Sequence, residues 1–169
     1  MNLNEQAISE KNNLLKNSKS AILSTINSDK TPNASYAPIS TDDNNNFYFY
    51  ISELSKHTNN LLSNKNISLM LIQDECKSEN IFARKRLTIN GTAKLIDRKN
   101  DDWKNKMRFM ELRFKDEIKF LKDMKDFHLF QIKPINGLLV FGFGKAFKFT
   151  NSQLSILSHA NEKGHKINS

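Results

Sequence analysis

The chain has 169 residues, enough for one domain of ordinary size, and its single cysteine, Cys76, excludes an internal disulfide. It contains no run of about 18 apolar residues that could span a membrane, and its N-terminus lacks the basic start and apolar run of a secretory signal. The net charge of +8 comes largely from 21 lysines, which 22 asparagines accompany. This composition indicates a general surface bias, so we predict a soluble cytoplasmic protein without a nucleic-acid or membrane partner.

We predict a single domain over residues 1–169 that begins with an amphipathic helix over residues 1–18. Turn-forming residues then separate short runs of β-branched and aromatic residues, which is typical of consecutive antiparallel strands. The predicted elements of the first half are two strands around the turn NSDKTPN, a strand FYFYIS, a short helix HTNNLLSN and a nearly continuous apolar strand NISLMLIQDE.

The segment ARKRLTINGTAKLI, residues 83–96, predicts a strand with one core face and one polar, basic face. Alternation assigns to the core face Leu87, Ile89, Ala93 and Leu95. It assigns to the other face Arg84, Arg86, Thr88, Asn90 and Thr92. This strand is therefore the first candidate for a binding surface.

The hydrophobic period changes over residues 97–124, where a helical insertion is predicted. Its apolar stripe, typical of one long helix or a helix pair, consists of Trp103, Met107, Met110, Phe114, Ile118 and Leu121. Strands return with DFHLFQIKP and GLLVFGFGKAFKF, in which Gly142 and Gly144 indicate a bulge or a close approach by another group. We predict a mainly β fold with accessory helices, a closed or half-closed antiparallel barrel with its ligand outside, at an oligomer interface.

Residue patterns alone leave two interpretations open for each candidate site. Arg84 and Arg86 either keep an edge strand solvated or form a fork for phosphate or carboxylate groups. The segment SKHTNN, residues 55–60, is either an ordinary helix start or a source of N–H donors to the same anion. His128 is typical of a half-buried strand position, and His165 of a loose chain end. The four histidines and one cysteine form no closed zinc pattern.

Six segments, taken in order, resemble the HugZ and HutZ family of bacterial haem-utilisation proteins, part of the flavin-binding split-barrel superfamily that includes pyridoxamine 5′-phosphate oxidase. They are NASYAPI, SKHTNNL, FARKRLTINGTA, KDFHLF, GLLVFGFGKAF and EKGHKI, and the similarity runs from about Ser20 to the C-terminus. Six motifs in the same order with similar spacing make the resemblance specific. It implies a homodimer of split β-barrels that binds haem at the subunit interface.

The resemblance also implies how the haem iron is held. The matching axial ligand is His165, in a C-terminal haem-binding segment over residues 159–169 with Gly164 as its pivot. Asp126 matches an aspartate that supports this histidine from the other subunit, where it orients the imidazole and makes it more electron-donating.

Basic residues are implied beside the haem as well. The matches are Arg84, Lys85 and Arg86, with His57 nearby, and the arginines can balance the propionates or stabilise a polar oxygen species on the iron. Asp126 and Arg86 are the residues to which the resemblance gives a part in catalysis.

The function that the resemblance implies is haem degradation. In this hypothesis haem is both substrate and cofactor, and O₂ with electrons from an external donor or reductase opens the porphyrin to release iron. Two alternatives stay open: an FMN-dependent oxidoreductase of the pyridoxamine phosphate oxidase type, with the flavin phosphate on Arg84 and Arg86, and a haem carrier or store that binds without turnover.

Overall fold

The structure is a computed structural model, and it describes residues 2–160. In chain order its helices and strands are α1 (Leu3–Asn17), β1 (Ser20–Ile26), β2 (Pro32–Pro38), β3 (Ser40–Thr41), β4 (Phe47–Ser52), α2 (Lys56–Ser63), β5 (Asn66–Ile72), β6 (Arg86–Ile96), α3 (Asp101–Phe114), α4 (Asp116–Lys122), β7 (Phe127–Val140), β8 (Ala146–Thr150) and β9 (Ile156–His159). Two single turns of 3₁₀-helix, Glu75–Lys77 and Ile81–Ala83, lie between β5 and β6.

The strands of the described chain form one antiparallel sheet in the order β2-β1-β5-β6-β7-β4-β3, to which β8 is added by pairing with β7 and β9 by pairing with β8. The 14-residue β7 pairs with β6 on one edge. Its other edge is shared by β4, over residues 127–132, and β8, over residues 136–140. The sheet therefore curls into a half-barrel, and the prediction of a mainly β fold with accessory helices is confirmed.

A bulge interrupts the β6–β7 ladder between Asn90 and Gly91, where β7 has one extra residue, Ile135. Pro134, beside it, has no N–H to give to the ladder, and a bulge is one of the places where a strand tolerates proline. A Cβ atom on Gly91 would lie 2.7 Å from the carbonyl oxygen of Lys133. Glycine is therefore required for the close approach of the two backbones.

The main hydrophobic core lies inside the half-barrel, and alternate residues of the long strands fill it. From β4 it receives Phe47, Phe49 and Ile51, from β6 Leu87, Ile89 and Ala93, and from β8 Phe147 and Phe149. Each of these side chains is at most 5% exposed, so the interior holds packed side chains and leaves ligand binding to the outside.

A second core lies on the outer face of β4, β6 and β7, where α3 and α4 cover the sheet. Tyr48 and Tyr50 of β4 pack here, against Trp103 and Met107 of α3. The Tyr48 ring stacks on Phe109 with centroids 5.1 Å apart. Because β4 is buried on both faces, its sequence FYFYIS is apolar or aromatic at nearly every position.

Two details of the predicted strands were wrong. Leu95 is 43% exposed, while the following Ile96 is buried under α3, because the inner core ends before Leu95 and the outer face is covered by the helical insertion. Gly142 and Gly144 lie in the turn that joins β7 and β8, where Phe141 N–H bonds to the Lys145 carbonyl at 3.1 Å. Gly144 has φ of +69°, a conformation that glycine adopts at no steric cost.

α1 begins with a capping box of Asn2 and Glu5 and closes one side of the half-barrel. Its Lys11 is buried: Nζ donates to the Leu154 carbonyl at 2.9 Å and lies 5.0 Å from the centroid of the Phe149 ring. Burial lowers the pKa of this lysine. Across residues 2–160, none of the helices combines the length and the apolar character needed to span a bilayer.

The close approach at the bulge predicts that Gly91→Ala destabilises the fold. The added methyl meets backbone, which has to shift, so we expect a loss of about 1–3 kcal/mol in unfolding free energy by urea denaturation. Gly142→Ala is the matched control, because its Cβ would meet only the flexible Lys145 side chain, at 3.1 Å. An equal loss in both variants would contradict the assignment of Gly91 as a packing constraint.

Candidate functional site

Asp126 lies at the edge of the sheet where β4 ends and β7 begins. Ser52, the last residue of β4, pairs with Phe127, the first of β7. The Ser52 hydroxyl donates to Asp126 Oδ2 at 2.6 Å, and the Glu53 N–H donates to the Asp126 carbonyl at 2.9 Å. Asp126 is therefore held through both its side-chain carboxylate and its backbone carbonyl.

The segment SKHTNN forms the start of α2 and is anchored at the same edge. Thr58 Oγ1 donates to the Ser52 carbonyl at 2.6 Å. Two residues later, Asn60 Nδ2 donates to Thr25 Oγ1 and to Asn27 Oδ1, both at 3.0 Å. The helix thus bridges the end of β4 and the end of β1, and Ser55 precedes it without a capping bond from its side chain.

His57, in the first turn of α2, is 7% exposed. Its Nε2 is buried and has no hydrogen-bond partner among the described residues. Burial disfavours the imidazolium and lowers the pKa of His57 below its ordinary value of 6.5. The side chain is therefore a neutral imidazole over most of the physiological range.

His128 has partners at this edge, in keeping with the predicted half-buried strand position. Its Nε2 lies 2.5 Å from Glu53 Oε1, and its ring meets Phe130 edge-on with centroids 6.4 Å apart. We call the group of Ser52, Glu53, His57, Asp126 and His128 the Asp126 edge.

The basic residues 84–86 lie elsewhere. Arg84 precedes β6 and turns back on the preceding segment, with Nε 2.5 Å from the Gln73 carbonyl and Nη1 2.9 Å from Glu75 Oε1. Lys85 Nζ pairs with Glu10 Oε1 of α1 at 2.5 Å. Arg86 opens β6, and its Nη1 donates to the Arg84 carbonyl at 3.0 Å. The strand thus begins three residues later than the predicted segment, and the two guanidinium groups have different partners.

Exposed aromatic side chains flank this basic segment. Phe82 precedes it and is 82% exposed, and Phe143, at the tip of the β7–β8 turn, is 66% exposed. The turn is adjacent because Arg86 pairs with Val140. A groove of about 300 Å³ separates the two loops, lined among others by Ala83, Lys85 and Phe143. We call Phe82, Arg84, Lys85, Arg86 and Phe143 the basic end; it offers cations beside flat apolar surfaces.

The two groups lie at opposite ends of β7. Asp126 directly precedes Phe127, whereas Arg86 pairs with Val140, the last residue of the strand. At 3.3 Å per residue, the fourteen positions between Asp126 and Val140 span roughly 45 Å of strand contour. Within one protomer, the structure therefore anchors α2, the helix that carries His57, to Ser52 beside Asp126. It places Asp126 at the end of β7 opposite Arg86.

The predicted iron ligand His165 and its pivot Gly164 lie outside the described residues. Their point of departure is nevertheless described, because Ala160 N–H donates to the Ala146 carbonyl at 2.7 Å and His159 Nε2 lies 2.9 Å from the Gly144 carbonyl. The described chain thus ends beside the basic end.

Sequence reasoning missed several residues of both groups. Ser52 ends an aromatic strand and Glu53 follows it, and no local pattern marks either of them as a site residue. Phe82 and Phe143 were overlooked for a different reason, since phenylalanine in a β protein is normally assigned to the core. The signal for Phe143 was present, because flanking glycines in GFG are typical of an exposed turn.

The burial of His57 predicts a pH dependence of stability. The unfolded chain takes up a proton at this residue near pH 6.5, but the folded chain resists it, so His57 lowers the unfolding free energy as the pH falls below about 6.5. His57→Leu should therefore lose less stability than the wild type between about pH 8 and pH 5 in urea denaturation. Lys56→Gln, on the same turn, should keep the wild-type slope. A His57→Leu slope equal to wild type would contradict the neutral, buried state.

Comparisons with known proteins identify the family. The family model described as pyridoxamine 5′-phosphate oxidase matches residues 8–141. HutZ of Vibrio cholerae serotype O1, named as a heme oxygenase, is 35% identical over 148 residues, which cover 88% of this chain and 83% of HutZ.

Solved structures agree with this assignment. The crystal structure of HutZ from Vibrio cholerae, described as the heme storage protein, has a TM-score of 0.74 and 31% identity over 81% of this chain and 95% of that chain. ChuZ of Campylobacter jejuni has a TM-score of 0.83 and 29% identity over 98% of this chain and 66% of that chain, so this chain spans about two thirds of ChuZ. From the matched family model, the identity to HutZ and these superpositions, the chain belongs to the HutZ-type proteins of the split-barrel, pyridoxamine 5′-phosphate oxidase-like superfamily.

Proposed function

We propose that this chain binds haem between two copies of itself and opens the porphyrin with O₂ and electrons from an external donor or reductase, releasing iron. The observation that carries the proposal is the 35% identity, over 88% of the chain, to HutZ, a protein named as a heme oxygenase. Haem supplies the redox chemistry as substrate and cofactor, and the chain supplies ligation, orientation and charge.

Two copies are proposed because one protomer separates the parts of the site. His165 is five positions after Ala160, and five residues reach at most about 18 Å. That reach is less than half of the roughly 45 Å of strand contour between Val140, near which the described chain ends, and Asp126, which precedes the first residue of β7. In this proposal His165 therefore meets the Asp126 of a second copy of the chain, forming a homodimer with a site at its interface.

The outer face of the sheet supports pairing with a second copy. A row of paired positions crosses β2, β1, β5, β6 and β7 on this face: Tyr36, Ile22, Met70, Thr88 and Leu138. Tyr36 is 63% exposed, Ile22 41% and Leu138 40%. Neighbouring exposed apolar residues on the outer face of a sheet are typical of an interaction surface.

The residues of the basic end fit haem. A porphyrin is a flat apolar ring with two carboxylates. Lys85 and the exposed Phe143 line one groove, and the exposed Phe82 and the cation of Arg86 lie within three residues of Lys85 in the chain. In the proposal Arg84, already oriented by Gln73 and Glu75, shapes this end, while Arg86 faces a propionate or the oxygen side of the iron.

At the opposite edge, the fixed carboxylate of Asp126 is proposed to accept a hydrogen bond from the imidazole of the partner copy. A carboxylate that accepts the second N–H of a ligating histidine fixes the ring and makes it more electron-donating, which favours oxygen activation over oxygen storage. His57, buried in the first turn of α2 and lacking a hydrogen-bond partner for Nε2 among residues 2–160, is proposed as a wall of the haem pocket.

Two other functions each have an observation in their favour. The crystal structure of HutZ describes that protein as a heme storage protein, which favours binding without turnover. The match to the pyridoxamine 5′-phosphate oxidase family favours FMN, with its phosphate at Arg84 and Arg86.

A hemin titration distinguishes these functions. The purified chain should develop a sharp Soret band, and His165→Ala should weaken hemin binding by at least the roughly tenfold that loss of an outer-shell partner causes. Lys166→Ala, a change in the same segment, should bind hemin like the wild type. On addition of ascorbate in air the wild-type Soret band should decay.

A Soret band that persists under ascorbate would favour storage over degradation. A yellow protein with a flavin spectrum and no response to hemin would contradict both haem functions and favour the FMN alternative.

A further inference from the structure

The hydroxyl of Ser52 is placed to control the carboxylate of Asp126. Ser52 Oγ lies 2.6 Å from Asp126 Oδ2, and the Leu54 N–H donates to the same Oγ at 3.1 Å. Because Leu54 already supplies a proton to this oxygen, the single hydroxyl proton of Ser52 is directed to the carboxylate, which can only accept.

The contact is short, and the backbone that carries Ser52 cannot easily rearrange. Ser52 is the last residue of β4 and pairs with Phe127, the neighbour of Asp126. Its own carbonyl accepts from Thr58 Oγ1 at 2.6 Å and from the Ser55 N–H at 3.0 Å. The serine is thus fixed by β7, by α2 and by the turn between β4 and α2.

The hydrogen bond from Ser52 leaves the Asp126 carboxylate with one oxygen available as an acceptor. Oδ2 is occupied by Ser52, and no donor among residues 2–160 reaches Asp126 Oδ1. A hydroxyl bond to one oxygen of a carboxylate stops its rotation about the Cβ–Cγ bond, so the second oxygen keeps one direction. Charge-assisted bonds of this kind contribute more than neutral ones.

We propose that Ser52 is a positioning residue for the haem reaction: it holds Asp126 so that Oδ1 can accept the N–H of the ligating histidine of the partner copy. The proposal rests on the proposed function, because it assigns Ser52 no contact with haem. Its effect is transmitted through Asp126 to the electron donation of the iron ligand.

The test compares four variants of the full-length, hemin-loaded protein: Ser52→Ala, Ser52→Thr, Ser55→Ala and Asp126→Asn. Ser52→Ala should bind hemin within about threefold of wild type, because the iron ligand is untouched. Its rate of Soret decay with ascorbate should fall roughly three- to tenfold, less than the full loss of a charge-assisted bond would cause, because the Asp126 carboxylate itself remains. Its ferric/ferrous reduction potential should rise in the same direction as that of Asp126→Asn, because a released carboxylate donates less strongly through the imidazole.

The remaining variants separate positioning from general damage. Ser52→Thr keeps a hydroxyl and should restore both rate and potential, and Ser55→Ala, three residues away and without a capping bond, should match wild type. Combining Ser52→Ala with Asp126→Asn should add little to Asp126→Asn alone, because both act through one bond. If Ser52→Ala proves unstable, Ser52→Cys keeps the volume with a weaker donor and should give the same direction of change.

A Ser52→Ala protein with wild-type rate and potential, beside an altered Asp126→Asn protein, would overturn the role of Ser52 alone. A lowered potential in Ser52→Ala would also overturn it, because Ser52 would then withdraw charge from the carboxylate without positioning it. A wild-type protein that binds no hemin, or an Asp126→Asn protein with unchanged turnover and potential, would instead contradict the proposed function and, with it, this inference.

Discussion

The backbone pairing of β7 is the constraint on which the rest of the structure depends. Its 14 residues bond to β6 on one edge and to β4 and β8 in succession on the other. This arrangement curls the sheet, encloses the main core, and fixes Asp126 and Arg86 at opposite ends of one strand. A packed half-barrel has no interior for a ligand, and a strand held by ladders on both edges cannot fold back on itself. Under the proposed function, a reaction that needs both ends therefore requires two copies of the chain.

The two cores explain why this strand has a fixed orientation. Inner side chains such as Phe130 and Leu139 belong to the main core, while Leu129 packs on the outer face under α3. The bulge at Gly91 lets β7 change its register without losing either core, and Lys11 ties α1 to the turn before β9. The N-terminal helix thus secures the segment that leads toward His165, a connection that the composition of the helix alone does not indicate.

The sequence predicts strands and helices well wherever one hydrophobic period extends over a whole element. Alternation in 83–96 predicted the buried Leu87, Ile89 and Ala93 because β6 faces the core on one side. It failed at Leu95 because burial there depends on α3, a distant helix that covers the opposite face. It also missed β9, whose short run SILSH carries no periodic signal and which is added at the far edge of the sheet only by pairing with β8.

The candidate site was less predictable because its contacts also depend on distant parts of the chain. Arg84 and Arg86 are two residues apart in the chain, but the strand begins between them, so Arg84 turns back to Gln73 and Glu75. Asp126 was identified through a motif, whereas its contact with Ser52, 74 positions away, depends on the β4–β7 register. Tertiary pairing of this kind cannot be derived from local patterns. The separation of Asp126 from Arg86 along β7 likewise follows only from the pairing of β7 with β4 and β6.

The most direct test of a site shared between two copies is the activity of mixed dimers. Co-expression of His165→Ala chains with Asp126→Asn chains, carrying different affinity tags, yields a heterodimer in which one interface combines the intact His165 of one chain with the intact Asp126 of the other. The account predicts that this heterodimer degrades hemin under ascorbate at about half the wild-type rate per dimer, although each homodimer of a single variant is impaired. A heterodimer no more active than the two variant homodimers would contradict it, because both residues would then have to act within one chain.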